Sequence, residues 1–259
     1  MQEKLGEVSV ETSGHVAVIE IDRPPLNYIS TALVRDLADV LCRIDVDPEI
    51  RCSVLQTAGE VFCAGTDLTG DDEPTGLGLE GVRKLYAEAV RLFSAIKPIV
   101  ALVQGAAVGE GLGLALVADF RIASPEARFS ANFVKLGFHP GFGITHTLPR
   151  IVGNQIAELM CLTGKRIKAD QALEWRLVDE IVPHEQLREA GLALAREIAE
   201  NAPLALFATR ATMRATLAAA VKAQGDIESI EQVRLRNTED FAEGVRAVRE
   251  RRAGHFTGR

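Results

Sequence analysis

The sequence predicts an α/β fold that ends in a helical extension. Short apolar, β-branched runs alternate with segments of helical periodicity over residues 15–123, which is typical of a parallel sheet with helical crossovers. From about residue 144 the pattern is mainly helical, and no Pro-, Gly- or Ser-rich linker separates the two halves. We therefore expect a core over residues 1–195 and a C-terminal helical extension over residues 196–259.

Strands and helices of the first half follow in a simple order. The first strand, residues 15–21 (HVAVIEI), ends at a Pro-Pro turn, and Ser30 or Thr31 can cap a helix that runs to about Asp45. That helix carries an apolar stripe of Leu33, Leu37, Val40, Leu41 and Ile44. The next predicted segments are a strand at 52–56, a loop at 59–72, a helix at 79–96, a strand at 99–103, a Gly-rich turn at 105–113, a short helix to 118 and a strand at 120–123.

The second half is interpreted as helices interrupted by residues 178–182. The last three predicted helices span 186–201, 204–223 and 227–236, and a basic tail follows them. This helical C-terminal part completes the predicted architecture.

Composition excludes several classes of protein. The 259 residues are 47% apolar and 25% charged, which is ordinary for a globular chain. A net charge of −7 without a Lys/Arg run argues against a nucleic-acid partner. The longest apolar runs are shorter than the ~20 residues that a membrane span needs, and the first residues lack a signal-peptide pattern. We expect a cytoplasmic protein with no membrane and no nucleic-acid partner.

Cysteine and histidine spacing predicts neither a disulfide framework nor a metal site. No CxxC pair and no HExxH pattern occurs among the four cysteines and five histidines. We therefore expect free thiols and no metal.

Two loops that follow predicted strands are the candidate site. The first, residues 58–68, is built around small residues that let a ligand approach the backbone, and the second, residues 103–113, opens a helix with unpaired N–H groups. Two converging N–H donors suit a thioester oxygen that becomes negative during reaction. The alternatives are plain strand connections or a dinucleotide-binding turn. The glycines at 109, 111 and 113 lack the G-x-G-x-x-G spacing and a full crossover helix, which disfavours the dinucleotide alternative.

Motifs in this order resemble those of the crotonase (enoyl-CoA hydratase/isomerase) superfamily, and the resemblance runs nearly end to end. They are Arg23-Pro24 with Leu26-Asn27, then 62–68 (FCAGTDL), 97–101 (KPIVA), 105–109 (GAAVG), 118–121 (ADFR), 148–153 (LPRIVG), 162–164 (LTG), 243–245 (EGV) and 250–252 (ERR). The resemblance implies a crotonase-like spiral of repeated ββα units, a C-terminal helical trimerisation region, an acyl-CoA thioester as substrate and a homotrimer or hexamer. It implies no cofactor, because coenzyme A is part of the substrate.

The resemblance also assigns residues to the site. It implies that the backbone N–H groups of Ala64 and Glu110 hold the thioester oxygen. It implies that the CoA moiety lies against Thr66, Asp67 and Leu68. The remaining predicted substrate-binding residues are Cys63, Gly65, Gly109, Gly111 and Phe133.

The positions where family members carry acid/base carboxylates are occupied here by Gly113, Phe133 and Gly141, none of which can move a proton. The predicted substitutes are Glu110 and His139, since both side chains can transfer protons. We expect the start of the helix to lower the basicity of the Glu110 carboxylate; the alternative is that this side chain points away and caps the helix. His139 is alternatively a structural histidine, and Asp67 a residue that shapes its loop.

Two function hypotheses follow. The first is an acyl-CoA-processing enzyme of the enoyl-CoA hydratase/isomerase family whose exact reaction the sequence leaves open. The second is a non-catalytic acyl-CoA-binding homologue, motivated by the three missing carboxylates. A thioester hydrolase that uses His139 or Glu110 is a further alternative.

Overall fold

Ten strands form two sheets in the described residues, 2–67 and 78–259 of the computed structural model. The strands are β1 (Gln2–Leu5), β2 (Val8–Ser13), β3 (Val16–Ile21), β4 (Cys52–Thr57), β5 (Ile99–Val103), β6 (Ala106–Val108), β7 (Phe120–Ala123), β8 (Arg128–Ser130), β9 (Ile167–Lys168) and β10 (Glu180–Ile181). The larger sheet has the order β1-β2-β3-β4-β5-β7-β10, and the smaller has the order β6-β8-β9.

The centre of the larger sheet is parallel, as the strand–helix alternation predicts. Strands β3, β4, β5, β7 and β10 pair in parallel, whereas β1, β2 and β3 form an antiparallel edge. All five residues of β5 are buried, which is typical of a parallel strand covered on both faces.

Ten α-helices surround these sheets within the described ranges. They are α1 (Thr31–Val46), α2 (Leu79–Phe93), α3 (Glu110–Ala115), α4 (Ile144–Val152), α5 (Asn154–Thr163), α6 (Ala169–Glu174), α7 (Leu187–Ala199), α8 (Pro203–Met213), α9 (Leu217–Arg236) and α10 (Glu239–Arg249). Ser30 caps α1, because its hydroxyl accepts a hydrogen bond from the Leu33 N–H at 3.1 Å. The apolar stripe predicted for this helix is buried.

The structure differs from the sequence predictions in three places. The edge strands β1 and β2 and the smaller sheet were not predicted, because their strands are short or only partly buried. The predicted break between helices at 224–226 was wrong: α9 continues through it, and the break lies at residues 214–216. Gly225 permits the continuous helix, since one glycine weakens a helix by only about 1 kcal/mol and α9 packs along α2. The predicted boundary at 195/196 lies within α7, and the division into core and extension stays a prediction.

Helices α8 and α9 leave much apolar surface uncovered. One 18-residue window within residues 203–236 reaches a mean hydropathy of 1.2 and so satisfies a length-and-composition test for a membrane span, although core helices of soluble proteins satisfy the same test. This window is shorter than the ~20 residues that a membrane span needs, and it includes the break between α8 and α9 or lies beside it. The absence of a membrane partner stays a prediction. Leu204 and Met213 are 83% and 71% exposed.

Candidate active site

The two loops selected from the sequence lie against each other at the ends of β4 and β5. The Cys63 N–H donates to the Ala106 carbonyl at 2.9 Å, and the Val108 N–H donates to the Cys63 carbonyl at 3.0 Å. A Cβ at Gly111 would overlap the Cys63 carbonyl, so this position requires glycine for the loops to approach. The glycines of the second loop therefore serve the contact between the loops.

A cavity of about 220 Å³ opens where the loops meet. Its walls include seven of the predicted site residues, which are Ala64, Gly65, Thr66, Asp67, Gly109, Glu110 and Phe133. Cys63 is fully buried and is not part of the cavity wall, and Gly111 is likewise buried outside it. The predicted site residue Leu68 lies outside the described residues. Helices α9 and α10 close the cavity with Arg236, Val245, Val248 and Arg249.

Glu110 directs its carboxyl group into a buried polar cluster beside this cavity. Its side chain accepts a hydrogen bond from the Thr66 hydroxyl, and its Oε1 lies 3.4 Å from the Tyr86 hydroxyl oxygen. Burial raises the pKa of Glu110, and the Thr66 hydrogen bond and the charge of Arg236 oppose that shift only in part. The carboxyl group is therefore more basic than an exposed glutamate.

Two sequence expectations for Glu110 are corrected here. Its pKa is raised rather than lowered, because desolvation outweighs the Thr66 hydrogen bond and the charge of Arg236. The alternative of a capping role is also wrong, since Gly109 holds the N-cap position of α3 without any side-chain cap bond.

One of the two backbone N–H groups that the resemblance assigns to the thioester oxygen is already hydrogen-bonded. The Ala64 N–H donates to the Leu26 carbonyl at 3.0 Å, so a thioester oxygen would have to displace that carbonyl. Within the described part of the chain, the N–H groups of Thr66 and Glu110 donate no hydrogen bond. Both residues line the cavity, and the loops approach closely beside them, since a Cβ at Gly65 would lie 2.8 Å from the Val108 carbonyl oxygen.

Two of the three positions without carboxylates, Gly113 and Gly141, leave no room for a side chain. A Cβ at Gly113 would lie 2.7 Å from Phe142 Cδ1, and a Cβ at Gly141 would overlap the Tyr86 hydroxyl. The ring of Phe133 forms part of the cavity wall and packs edge-on against Phe138. Aromatic side chains therefore occupy the space that carboxylates at positions 113 and 141 would need, and Phe133 makes the cavity wall apolar where family members carry a carboxylate.

His139 is not among the residues that line the cavity. Its Nδ1 lies 2.7 Å from the Pro140 carbonyl, and its own carbonyl accepts a hydrogen bond from Gln232 Nε2 at 2.9 Å. These contacts fit the structural alternative, and an acid/base role for His139 stays a prediction. Cys63, on the first of the two loops, is a neutral thiol, because burial raises its pKa to about 12.

Sequence reasoning missed the partners of Glu110 that come from distant helices. Tyr86 lies on α2, whereas Glu228, Gln232 and Arg236 lie on α9. Tyr86 and Gln232 are 146 positions apart, so no local motif joins them. The sequence signal that could have indicated these residues is a polar side chain on the buried face of a predicted helix.

A larger cavity of about 400 Å³ lies elsewhere, beside α8. Its arginines are already engaged: Arg210 and Arg214 both bind the Asp119 carboxylate, at 3.0 and 2.7 Å. They also donate to backbone carbonyls of the core. This cluster fastens α8 to the sheet. Among the described residues, no group of three or more His, Cys, Asp or Glu side chains is placed to hold a metal.

Comparisons with known proteins agree with this architecture. A family model described as enoyl-CoA hydratase/isomerase matches residues 11–259. The chain is 36% identical to (E)-benzylidenesuccinyl-CoA hydratase of Thauera aromatica, over 97% of this chain and 99% of that protein. It is 34% identical to 1,2-epoxyphenylacetyl-CoA isomerase of Escherichia coli K12, over 94% and 95%.

A solved structure supports the same conclusion. The crystal structure of an enoyl-CoA hydratase/isomerase from Pseudoalteromonas atlantica T6c superposes with a TM-score of 0.85 at 29% identity, over 97% of this chain and all of that one. The predicted crotonase-like α/β fold is confirmed, and helices α8 to α10 fit the trimerisation region. The chain therefore belongs to the enoyl-CoA hydratase/isomerase family, within the crotonase superfamily.

Proposed function

We propose that this protein isomerises an acyl-CoA thioester by moving one proton between carbon atoms, with Glu110 as the single acid/base. Family membership supports the acyl-CoA substrate. The observation that carries the proposal is the Glu110 carboxyl group, buried at the cavity wall with a raised pKa. A general base works best when its pKa lies near the operating pH, and burial moves a glutamate in that direction.

The oxyanion site is formed by the N–H groups of Thr66 and Glu110. Thr66 replaces Ala64 in this role, because the Ala64 N–H is already bound to Leu26. Both residues line the cavity, and neither N–H group donates a hydrogen bond to the described part of the chain. One donor of this kind stabilises a developing oxyanion by about 2.7–4 kcal/mol.

The reaction proceeds in two balanced proton transfers. The Glu110 carboxylate takes a proton from C2 of a 3-enoyl-CoA, and the electron pair moves onto the thioester oxygen to give a dienolate. The Glu110 carboxylic acid then returns the same proton to C4, and the double bond moves to C2–C3. No water, metal or redox cofactor enters either step.

Isomerisation fits the site better than hydration does. Hydration requires one group to activate water and another to protonate carbon, whereas Gly113 and Phe133 supply neither. One carboxyl group is sufficient for a proton shift. The relatives include both an isomerase, the 1,2-epoxyphenylacetyl-CoA isomerase of Escherichia coli, and a hydratase, that of Thauera aromatica.

The decisive experiment offers 2-enoyl-, 3-enoyl- and arylacyl-CoA esters to the protein in D₂O and resolves products by chromatography with mass detection. We expect interconversion of 2- and 3-enoyl esters. Glu110→Gln should lower kcat by ~100- to 10,000-fold with a small change in KM, while Glu60→Gln, an exposed carboxyl group of the first loop, should not.

Other outcomes of this experiment contradict the proposal. A hydrated product identifies a hydratase, and free CoA identifies the hydrolase alternative. Binding of the esters without any turnover identifies a non-catalytic homologue.

We further propose a homotrimer or hexamer, which α8 and α9 support by the apolar surface that they leave exposed. Leu204, Met213 and Ile227 are the largest exposed apolar side chains of these helices. A cytoplasmic location without membrane or nucleic-acid partners stays part of this proposal.

A further inference from the structure

The Tyr86 hydroxyl lies between two acceptors and has one proton to donate. Its oxygen is 2.7 Å from Gln232 Oε1 and 3.4 Å from Glu110 Oε1. Tyr86 is buried, and burial raises its pKa well above the usual range, so the hydroxyl stays neutral. Which acceptor receives the proton therefore matters for the basicity of Glu110.

His139 determines the orientation of the Gln232 amide. The His139 carbonyl can only accept a hydrogen bond, so the group that faces it at 2.9 Å is the Gln232 NH₂. The amide oxygen must then face Tyr86, and an amide oxygen can only accept. The shorter bond of the Tyr86 hydroxyl is therefore a donation to Gln232.

We propose that Gln232 is a positioning residue that holds the Tyr86 proton away from Glu110 and so keeps the Glu110 carboxylate basic. This inference rests on the proposed function, in which Glu110 is the base. A phenol that turned its proton to the carboxylate would form a charge-assisted hydrogen bond and stabilise the anion. Gln232 prevents that by offering a closer acceptor.

Other groups around Glu110 also affect the protonation of its carboxyl group. Arg236 on α9 favours the charged carboxylate, and Glu228 on the same helix disfavours it. The Thr66 hydroxyl from the first loop donates to the second carboxylate oxygen. Cys63 from that loop stays neutral, because burial raises its pKa to about 12. None of these groups competes for the Tyr86 proton.

Room for the cluster comes from Gly141. A Cβ at this position would overlap the Tyr86 hydroxyl and would lie 2.6 Å from Gln232 Nε2. The glycine therefore permits the contact between α2 and α9 on which the proposed positioning depends.

The test compares two substitutions at one position. Gln232→Met and Gln232→Glu both remove the NH₂ that binds the His139 carbonyl, but only Gln232→Met removes the acceptor of the Tyr86 proton. The readout is the pKa of Glu110, followed by ¹³C NMR of glutamate Cδ in the full chain and assigned by the signal missing in Glu110→Gln. We expect Gln232→Met to lower that pKa by about one unit, the size of one charge-assisted hydrogen bond, and Gln232→Glu not to lower it.

A Tyr86→Phe background identifies the cause. There Gln232→Met should produce no downward shift, because no phenol proton remains to be released. Tyr86→Phe alone should not raise the pKa of Glu110; a rise would mean that Tyr86 already donates to the carboxylate and would overturn the proposal, even if Gln232→Met does not fold. An unchanged pKa in Gln232→Met, or a shift that persists in the Tyr86→Phe background, would overturn it as well.

The acid limb of the kcat/KM profile should move with the NMR pKa, since the basic form of Glu110 is the active one. The titration needs no turnover. A shifted pKa in a protein without isomerase activity would therefore reject the proposed function alone, and activity with an unshifted pKa would reject the positioning role alone.

Discussion

Two glutamates, Glu110 and Glu228, are almost completely buried, and burial raises the pKa of each. Their surroundings divide their roles. Glu228 accepts hydrogen bonds from the Gly143 and Thr145 N–H groups at 2.7 and 3.0 Å, so its carboxylate stabilises the start of α4. The polar side chains in contact with Glu110 are the Thr66 hydroxyl, which donates to it, and the Tyr86 hydroxyl at 3.4 Å, and Glu110 lines the cavity. The carboxyl group with fewer backbone partners is the one free to change protonation state.

The raised pKa of Glu110 predicts a pH dependence of stability. A carboxyl group that binds its proton more tightly when folded stabilises the fold fully below its ordinary pKa of 4.5, and that stabilisation is lost as pH rises through the raised value. Urea unfolding over this window should show a smaller fall in the free energy of unfolding for Glu110→Gln than for the wild type. Glu60→Gln should keep the wild-type slope, and an equal slope in Glu110→Gln would refute the expectation.

Restoring a family glutamate at position 113 should fail. The Gly113→Glu side chain would collide with Phe142, and overpacking of this kind costs about 1–3 kcal/mol. Differential scanning calorimetry should show a lower Tm, whereas Gly78→Ala, which meets nothing within 4 Å, should change it little. A variant as stable as the wild type that hydrates crotonyl-CoA would contradict both the packing argument and the proposed reaction.

At the scale of elements, α9 is the helix that completes the site. It carries Glu228, Gln232 and Arg236, and it packs along α2, which carries Tyr86. Helix α10 follows and adds Val245, Val248 and Arg249 to the cavity wall. The C-terminal helices therefore line the cavity together with the two loops, and they fit the trimerisation region of the fold.

Glycines in these two helices should respond oppositely to substitution. A Cβ at Gly225 in α9 would make ordinary contact with Tyr86 at 3.7 Å, so Gly225→Ala should stabilise the fold by about 0.5–1 kcal/mol through helix propensity. A Cβ at Gly244 in α10 would overlap the Leu136 backbone, so Gly244→Ala should destabilise by about 1–3 kcal/mol. Urea unfolding of both variants measures the difference, and shifts of the same sign would contradict it.

At the scale of the whole molecule, the C-terminal helices carry several large apolar side chains that are exposed in the single chain. Leu204 is 83% exposed at the start of α8, and Met213 is 71% exposed at its end. Large exposed apolar patches mark contact surfaces in soluble proteins. This distribution is what an assembly through the C-terminal region requires.

Assembly should therefore depend on Leu204. Light scattering after size-exclusion chromatography should give the mass of a trimer or hexamer for the wild type and a smaller species for Leu204→Glu, because a charge buried in an interface is strongly unfavourable. Val46→Glu is the matched control, since Val46 is 81% exposed at the end of α1. A monomeric wild type, or an unchanged mass for Leu204→Glu, would contradict the proposed interface.

Local patterns in the sequence were sufficient for much of the architecture. The parallel strands β3, β4, β5 and β7, the capped helix α1 and the two glycine-rich loops all followed from patterns within a few residues, because apolar periodicity and turn chemistry act over short distances. The family followed from the order of short motifs along the whole chain.

Tertiary structure alone decided the protonation chemistry. The helix start next to Glu110 predicted a weak base, but burial among Thr66, Tyr86 and α9 raises its pKa instead. The use of the Ala64 N–H by Leu26, and the filling of the space beside Gly113 and Gly141, were likewise invisible in sequence. Desolvation and hydrogen bonding depend on which distant segments come together. Tyr86 and Gln232 are 146 positions apart, so no local sequence pattern predicts their contact.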